Sequence, residues 1–101
     1  MSLVTERIEN NVLYLELNGR IDSSNAEQAE ALIKEIKEAH PDLQSVLDAE
    51  NLEYLSSAGL RVILKAQKVM NVQGSMKVIN VNETIMEVFD ITGFVDILTI
   101  E

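Results

Sequence analysis

Leucines at positions 13, 15 and 17 alternate with Val12, Tyr14 and Glu16. A period of two sends the leucines to one face of a strand. Val4 to Ile8 is a similar strand-like run, and Asn10-Asn11 between the two reads as a hairpin turn. Asn18 to Asn25 is polar and carries Gly19. The period then changes. Ala29, Leu32, Ile33 and Ile36 recur at helical spacing, with Glu30, Lys34, Glu35 and Lys37 on other faces. Ser24 followed by Glu27 reads as a capping box for this helix, and His40-Pro41 ends it. Ser45 to Ala49 predicts a short strand centred on Val46 and Leu47. Leu60, Ile63, Leu64 and Met70, with Val62, Ala66 and Val69, mark a second, broadly apolar helix that Gly74 terminates. Met76 to Val81 is a third core strand. Asn82 is placed to cap a short helix containing Ile85, Met86, Val88 and Phe89, which stops at Gly93, and Phe94 to Ile100 predicts a last strand.

The order β-β-α-β-α-β-α-β defines an α/β fold. Strand–helix–strand alternation implies parallel pairing through right-handed crossovers, and the opening hairpin adds one antiparallel strand, so the sheet is mixed. The segments 18–25, 50–57 and 80–83 each follow a strand and precede a helix. They should therefore emerge at one edge of the sheet, where ligand and partner sites of such folds concentrate. Ser56 and Ser57 are expected there beside Asp22, Ser23, Ser24 and Asn82.

The chain has 101 residues and reads as a single domain over 1–101, with Met1-Ser2-Leu3 given no weight as an expression remnant. Its formal net charge of −9 comes from 17 acidic and 8 basic residues without a basic cluster. Nucleic acid and anionic membrane surfaces both require clustered Lys and Arg, so neither is an expected partner. No apolar run approaches the ~20 residues of a membrane span, and residues 1–10 lack a signal-peptide core, which favours the cytoplasm. There is no cysteine, so thiol chemistry and thiolate metal sites are absent.

Enzymatic readings lack their parts. The one histidine, His40, falls at the opposite edge from Ser57 and is expected to be an exposed surface residue, which leaves a serine nucleophile without a base. The four glycines, at 19, 59, 74 and 93, are scattered and form no phosphate-binding loop. Asp22, Asp48, Glu50 and Glu53 lack calcium-loop spacing and read as solvated loop charges, so no metal or cofactor is expected. The serine pair remains. Either hydroxyl can act as a helix cap, worth ~1 kcal/mol. Either can also carry a phosphate at the positive end of the helix. Ala58 and Gly59 leave little bulk beside the hydroxyls, which would let another protein approach closely. A glycine in a first helical turn costs roughly 0.5–1 kcal/mol against alanine, so a steric or backbone need is implied.

The run Asn51-Leu-Glu-Tyr-Leu-Ser-Ser-Ala-Gly-Leu-Arg-Val-Ile-Leu64 resembles the signature of the STAS domain, in particular of bacterial anti-sigma factor antagonists. Gly19-Arg20-Ile21-Asp22 with Asn25-Ala26-Glu27, and Met86 to Phe94, resemble two further segments of that family in the right order. The resemblance implies a STAS-like mixed sheet with helices packed on it. It implies a non-enzymatic, monomeric partner switch. The unphosphorylated form would bind an anti-sigma factor that is also a serine kinase, phosphorylation would release it, and a PP2C-type phosphatase would reset the cycle. By position the phosphoacceptor is Ser57, two residues before the motif glycine, and the partner-binding surface is Asp22, Ser23, Ser24, Ser56, Ala58, Gly59, Leu60 and Arg61. Where many members have an aspartate before the acceptor and a serine or threonine after it, this chain has Ser56 and Ala58. The alternative is a STAS scaffold module in a lipid-transport or signalling complex, without phosphorylation.

Overall fold

Five strands line up in the order β1-β2-β3-β4-β5 in a computed structural model that describes residues 2–70, 77–96 and 99–101. The strands are β1 (Val4–Glu9), β2 (Val12–Ile21), β3 (Gln44–Leu55), β4 (Lys77–Ile79) and β5 (Thr99–Ile100). The helices are α1 (Ala26–Ala39), α2 (Ser57–Met70) and α3 (Glu83–Thr92), followed by a 3-10 turn over Phe94–Asp96. β1 and β2 are antiparallel, and every later pairing is parallel. This is the mixed sheet expected from the element order.

The hairpin forms because Asn10 and Asn11 accept positive φ, at 51° and 64°. Asparagine tolerates the left-handed region better than most residues, and two in succession close a two-residue loop. The leucine alternation holds: Leu13, Leu15 and Leu17 are buried on the face that the helices cover. They share a core with Val4, Leu47, Val78, Ala29, Ile33, Ile63, Ile85 and Phe89.

Several boundaries differ from the sequence reading. β2 runs on to Ile21 and β3 on to Leu55, so much of 18–25 and 50–57 is strand rather than loop. The pairing slips between Glu16 and Asn18 and again between Gly19 and Arg20, and each time β3 takes an extra residue. Such bulges break the alternation that marks a strand in sequence. Gly19, with φ +74°, sits at the second slip. The residues near the N-terminus are knit into the sheet: Asn18 N donates to Leu3 O at 2.9 Å, and Asn18 Nδ2 donates to Ser2 O at 2.9 Å. Ser2 and Leu3 therefore contribute backbone acceptors to the fold. Of the last expected strand, Phe94–Asp96 is a 3-10 turn and Thr99–Ile100 is strand, and residues 97 and 98 lie outside the described residues. Gly74 and Met76 lie outside the described residues.

Candidate functional site

α2 begins where β2 and β3 end. Ser56 N donates to Ile21 O at 3.0 Å, so the residue before the helix is fastened to the last residue of β2. Ser56 Oγ accepts from Gly59 N at 3.3 Å, and Ser56 O accepts from Leu60 N at 2.9 Å. Ser56 is thus the residue that caps α2. Ser57 is the first helical residue, and its side chain is exposed. The two candidate roles of the serine pair fall on different residues.

Gly59 is buried, and the reason for a glycine here is internal. A Cβ at this position would lie 2.6 Å from Leu55 Cδ1, 2.9 Å from Ile21 O and 3.0 Å from Ile21 Cγ2. The missing side chain lets the first turn of α2 settle on the ends of β2 and β3. The expectation that Gly59 opens access for a partner is therefore corrected. Leu60 is buried as well, at 3% exposure, and belongs to the core rather than to a contact surface. Ala58 is partly buried against that core. Arg61 is exposed.

The segment after β2 comes alongside, as the parallel topology requires. Asp22 is half-buried, and Ser23 and Ser24 are exposed. The expected capping box is absent. Ser24 instead turns back to Asp22, whose Oδ1 accepts from Ser24 N at 2.9 Å and Ser24 Oγ at 2.5 Å. These bonds, the hydroxyl's first, hold the Asp22 carboxyl below the usual carboxylate range. Asn25 precedes α1 without a side-chain cap. Its amide closes the loop, accepting from Asp22 N at 2.9 Å and donating to Arg20 O at 2.8 Å.

Asn82 ties the start of α3 to β3. Its Oδ1 accepts from Ile85 N at 2.9 Å, which is the predicted cap of α3, and its Nδ2 donates to Leu52 O at 2.9 Å. Gly93 ends α3 with φ 78°. On the surface beside the serines, Arg20 stacks over the Tyr54 ring at 4.3 Å, a pairing that follows from the bulged register. Neither residue stood out in the sequence, because the contact depends on the two slips between β2 and β3.

Two expectations about charged residues change. Asp48 is not a solvated loop carboxylate. It is 4% exposed on the helix-free face of the sheet, with Arg7 Nη2 at 3.4 Å and Asn80 Nδ2 at 3.0 Å. His40 is half-buried and reaches Glu6 Oε2 at 3.1 Å, far along the chain from the serines. Among the described residues no group of three His, Cys, Asp or Glu side chains is arranged to hold a metal ion, and no helix is long and apolar enough to cross a membrane.

The STAS domain model matches residues 3–101. The chain belongs to the STAS domain family. It is 37% identical to BtrV of Bordetella bronchiseptica over 102 residues, covering 99% of this chain and 85% of that protein. It is 32% identical to the anti-sigma-B factor antagonist of Bacillus subtilis over 91 residues, covering 89% and 82%. The Bacillus protein SpoIIAA has the same fold. Its unphosphorylated form superposes with a TM-score of 0.75 at 17% identity, covering 97% of this chain and 87% of that one. Its phosphorylated form gives 0.67 at 17% identity, covering 97% and 90%. The STAS assignment agrees with the sheet order and with the helices packed on one face.

Proposed function

We propose that this STAS protein is an anti-sigma factor antagonist that acts by binding, in the cytoplasm, and is switched by phosphorylation of Ser57. The observation that carries the reading is the division of labour at the head of α2. Ser56 caps the helix, which leaves the Ser57 hydroxyl exposed and free of any structural bond among the described residues. The relative named as an anti-sigma-B factor antagonist supports the partner class, and SpoIIAA is a protein of this fold known in a phosphorylated form.

The switch follows from charge. A phosphate adds about −1.5 to −2 charges at pH 7. No acidic residue occupies the first turn of α2. The helix dipole there favours an anion by roughly 0.3–1 kcal/mol, so the free domain stays folded. In a closed interface the same dianion must shed water, and an unpaired buried charge is heavily penalised. A loss of only ~1.4 kcal/mol weakens binding tenfold. The unphosphorylated protein would hold an anti-sigma factor with serine kinase activity, the phosphorylated protein would release it, and a PP2C-type phosphatase would restore the first state.

The test is incubation of the protein with ATP and the anti-sigma factor kinase of the same organism, followed by intact mass and peptide mapping. One phosphoryl group on Ser57, with loss of the complex, is the expected result. Stable binding without modification would leave an antagonist but remove the switch. Neither binding nor modification would remove the function.

A further inference from the structure

In a chain of net charge −9, α2 is a helix without a single acidic residue. From Ser57 to Met70 its only charged side chains are Arg61, Lys65 and Lys68, three of the eight basic residues in the protein. All three are exposed. Their spacing from Ser57 is four, eight and eleven residues, which places Ser57 and the three cations on one face of the helix. Lys65 touches Glu30 of α1 at 3.3 Å across the groove between the helices. Arg61 and Lys68 make no ion pair among the described residues. On α1, Lys34 stands on the same groove. On the helix itself the neighbouring positions are Ala58, Leu64 and other uncharged residues, and the carboxylates nearby, Glu30 and Glu38, belong to the α1 side of the groove.

We propose that the outer face of α2, formed by Arg61, Lys65 and Lys68, is an electrostatic docking stripe for an acidic surface on the protein partner, and that a phosphate on Ser57 cancels most of its charge. The inference rests on the partner assignment above and adds the chemistry of the recognised surface. Three positive charges in a row attract an acidic face and steer encounter. The rest of the protein, being acidic, repels the same face, so the stripe sets the orientation of docking. Lys65 is already paired with Glu30, so a phosphate bearing about −1.5 to −2 charges at the head of the row offsets nearly all of the remaining positive charge. Release then has two contributions: desolvation of the phosphate in the interface, and loss of the attraction along the helix.

The experiment measures association and dissociation rates with the purified anti-sigma factor of the same organism, from about 50 to 500 mM sodium chloride. Wild type is compared with Arg61→Glu, Lys65→Glu, Lys68→Glu and, as a control of equal charge change on β4, Lys77→Glu. Circular dichroism checks that each variant is folded. Each stripe reversal should slow association about 3- to 10-fold at low salt and flatten the salt dependence, while Lys77→Glu stays within about twofold of wild type. Wild type phosphorylated on Ser57 should also show the flatter salt dependence. Stripe variants that match Lys77→Glu would overturn the docking stripe and leave the antagonist reading intact. A wild-type protein that binds no anti-sigma factor at any salt concentration would overturn both.

Discussion

The hydroxyl of Ser56 accepts the backbone N–H of Gly59 at 3.3 Å, so the capping role falls to Ser56 and not to the hydroxyl of the adjacent Ser57. The arrangement puts the capping hydroxyl and the exposed hydroxyl on adjacent residues. Ser56→Ala should cost about 1 kcal/mol, within the range of lost N-caps. For a domain of this size that corresponds to a fall of roughly 4–8 °C in melting temperature. Ser57→Ala should change stability by no more than about 0.5 kcal/mol, as at other exposed sites. Thermal unfolding of the two variants side by side checks the assignment, and equal losses would contradict it.

Gly59→Ala should destabilise the protein, although alanine is the better helix former by about 1 kcal/mol. The added carbon would meet Ile21 O at 2.9 Å, and a backbone carbonyl at a strand end has little room to yield. Overpacking of this kind costs typically 1–3 kcal/mol. Gly59→Val should cost more. Urea midpoints rank the three proteins; a Gly59→Ala variant as stable as wild type would mean that α2 shifts to accommodate the methyl group.

Asn82 serves two elements at once, so its substitutions should separate two bonds. Asn82→Asp keeps the acceptor for Ile85 N and loses the donor to Leu52 O. Asn82→Ala loses both. The expected order of stability is wild type, then Asp, then Ala, with the cap alone worth about 1 kcal/mol. Chemical denaturation resolves the difference.

Asp22 should titrate below the usual carboxylate range, because Ser24 donates to it through both hydroxyl and backbone N–H. A folded-state pKa below the unfolded one adds stability above the unfolded value, and that stability is lost as pH falls through the folded value. Ser24→Ala should therefore raise the Asp22 pKa and reduce the stability lost on acidification. Carboxyl-carbon NMR titration of the two proteins reads this directly. An unmoved Asp22 pKa would assign the shift to the backbone bond alone.

The parts of the fold that were legible in sequence are those written locally. Alternating leucines, the Asn10-Asn11 turn, the Asn82 cap and the Gly93 stop each depend on a few adjacent residues. The chain order of strands and helices then placed Ser56 and Ser57 beside Asp22 at one edge of the sheet. What escaped depends on partners far away in sequence. The extensions of β2 and β3 are paired through two bulges, so neither shows a clean period of two. Ser24 has the sequence of a capping residue, but Asp22 takes its hydroxyl first. Asp48 looks like a loop charge until Arg7 and Asn80 are brought to it. Gly59 could be read as needed, but whether the need lay inside or outside could be decided only by the position of Ile21.

The contact of Gly59 with the end of β2 also bears on how a signal can leave this domain. The first turn of α2 rests closely on the ends of β2 and β3, where a Cβ at Gly59 would meet the Leu55 side chain and both the carbonyl and the side chain of Ile21. Tilting the helix would have to move the strand beneath it. Under the proposed switch, a phosphate on Ser57 would have little conformational travel available to it, and its message would be carried as a change in the surface that a partner meets.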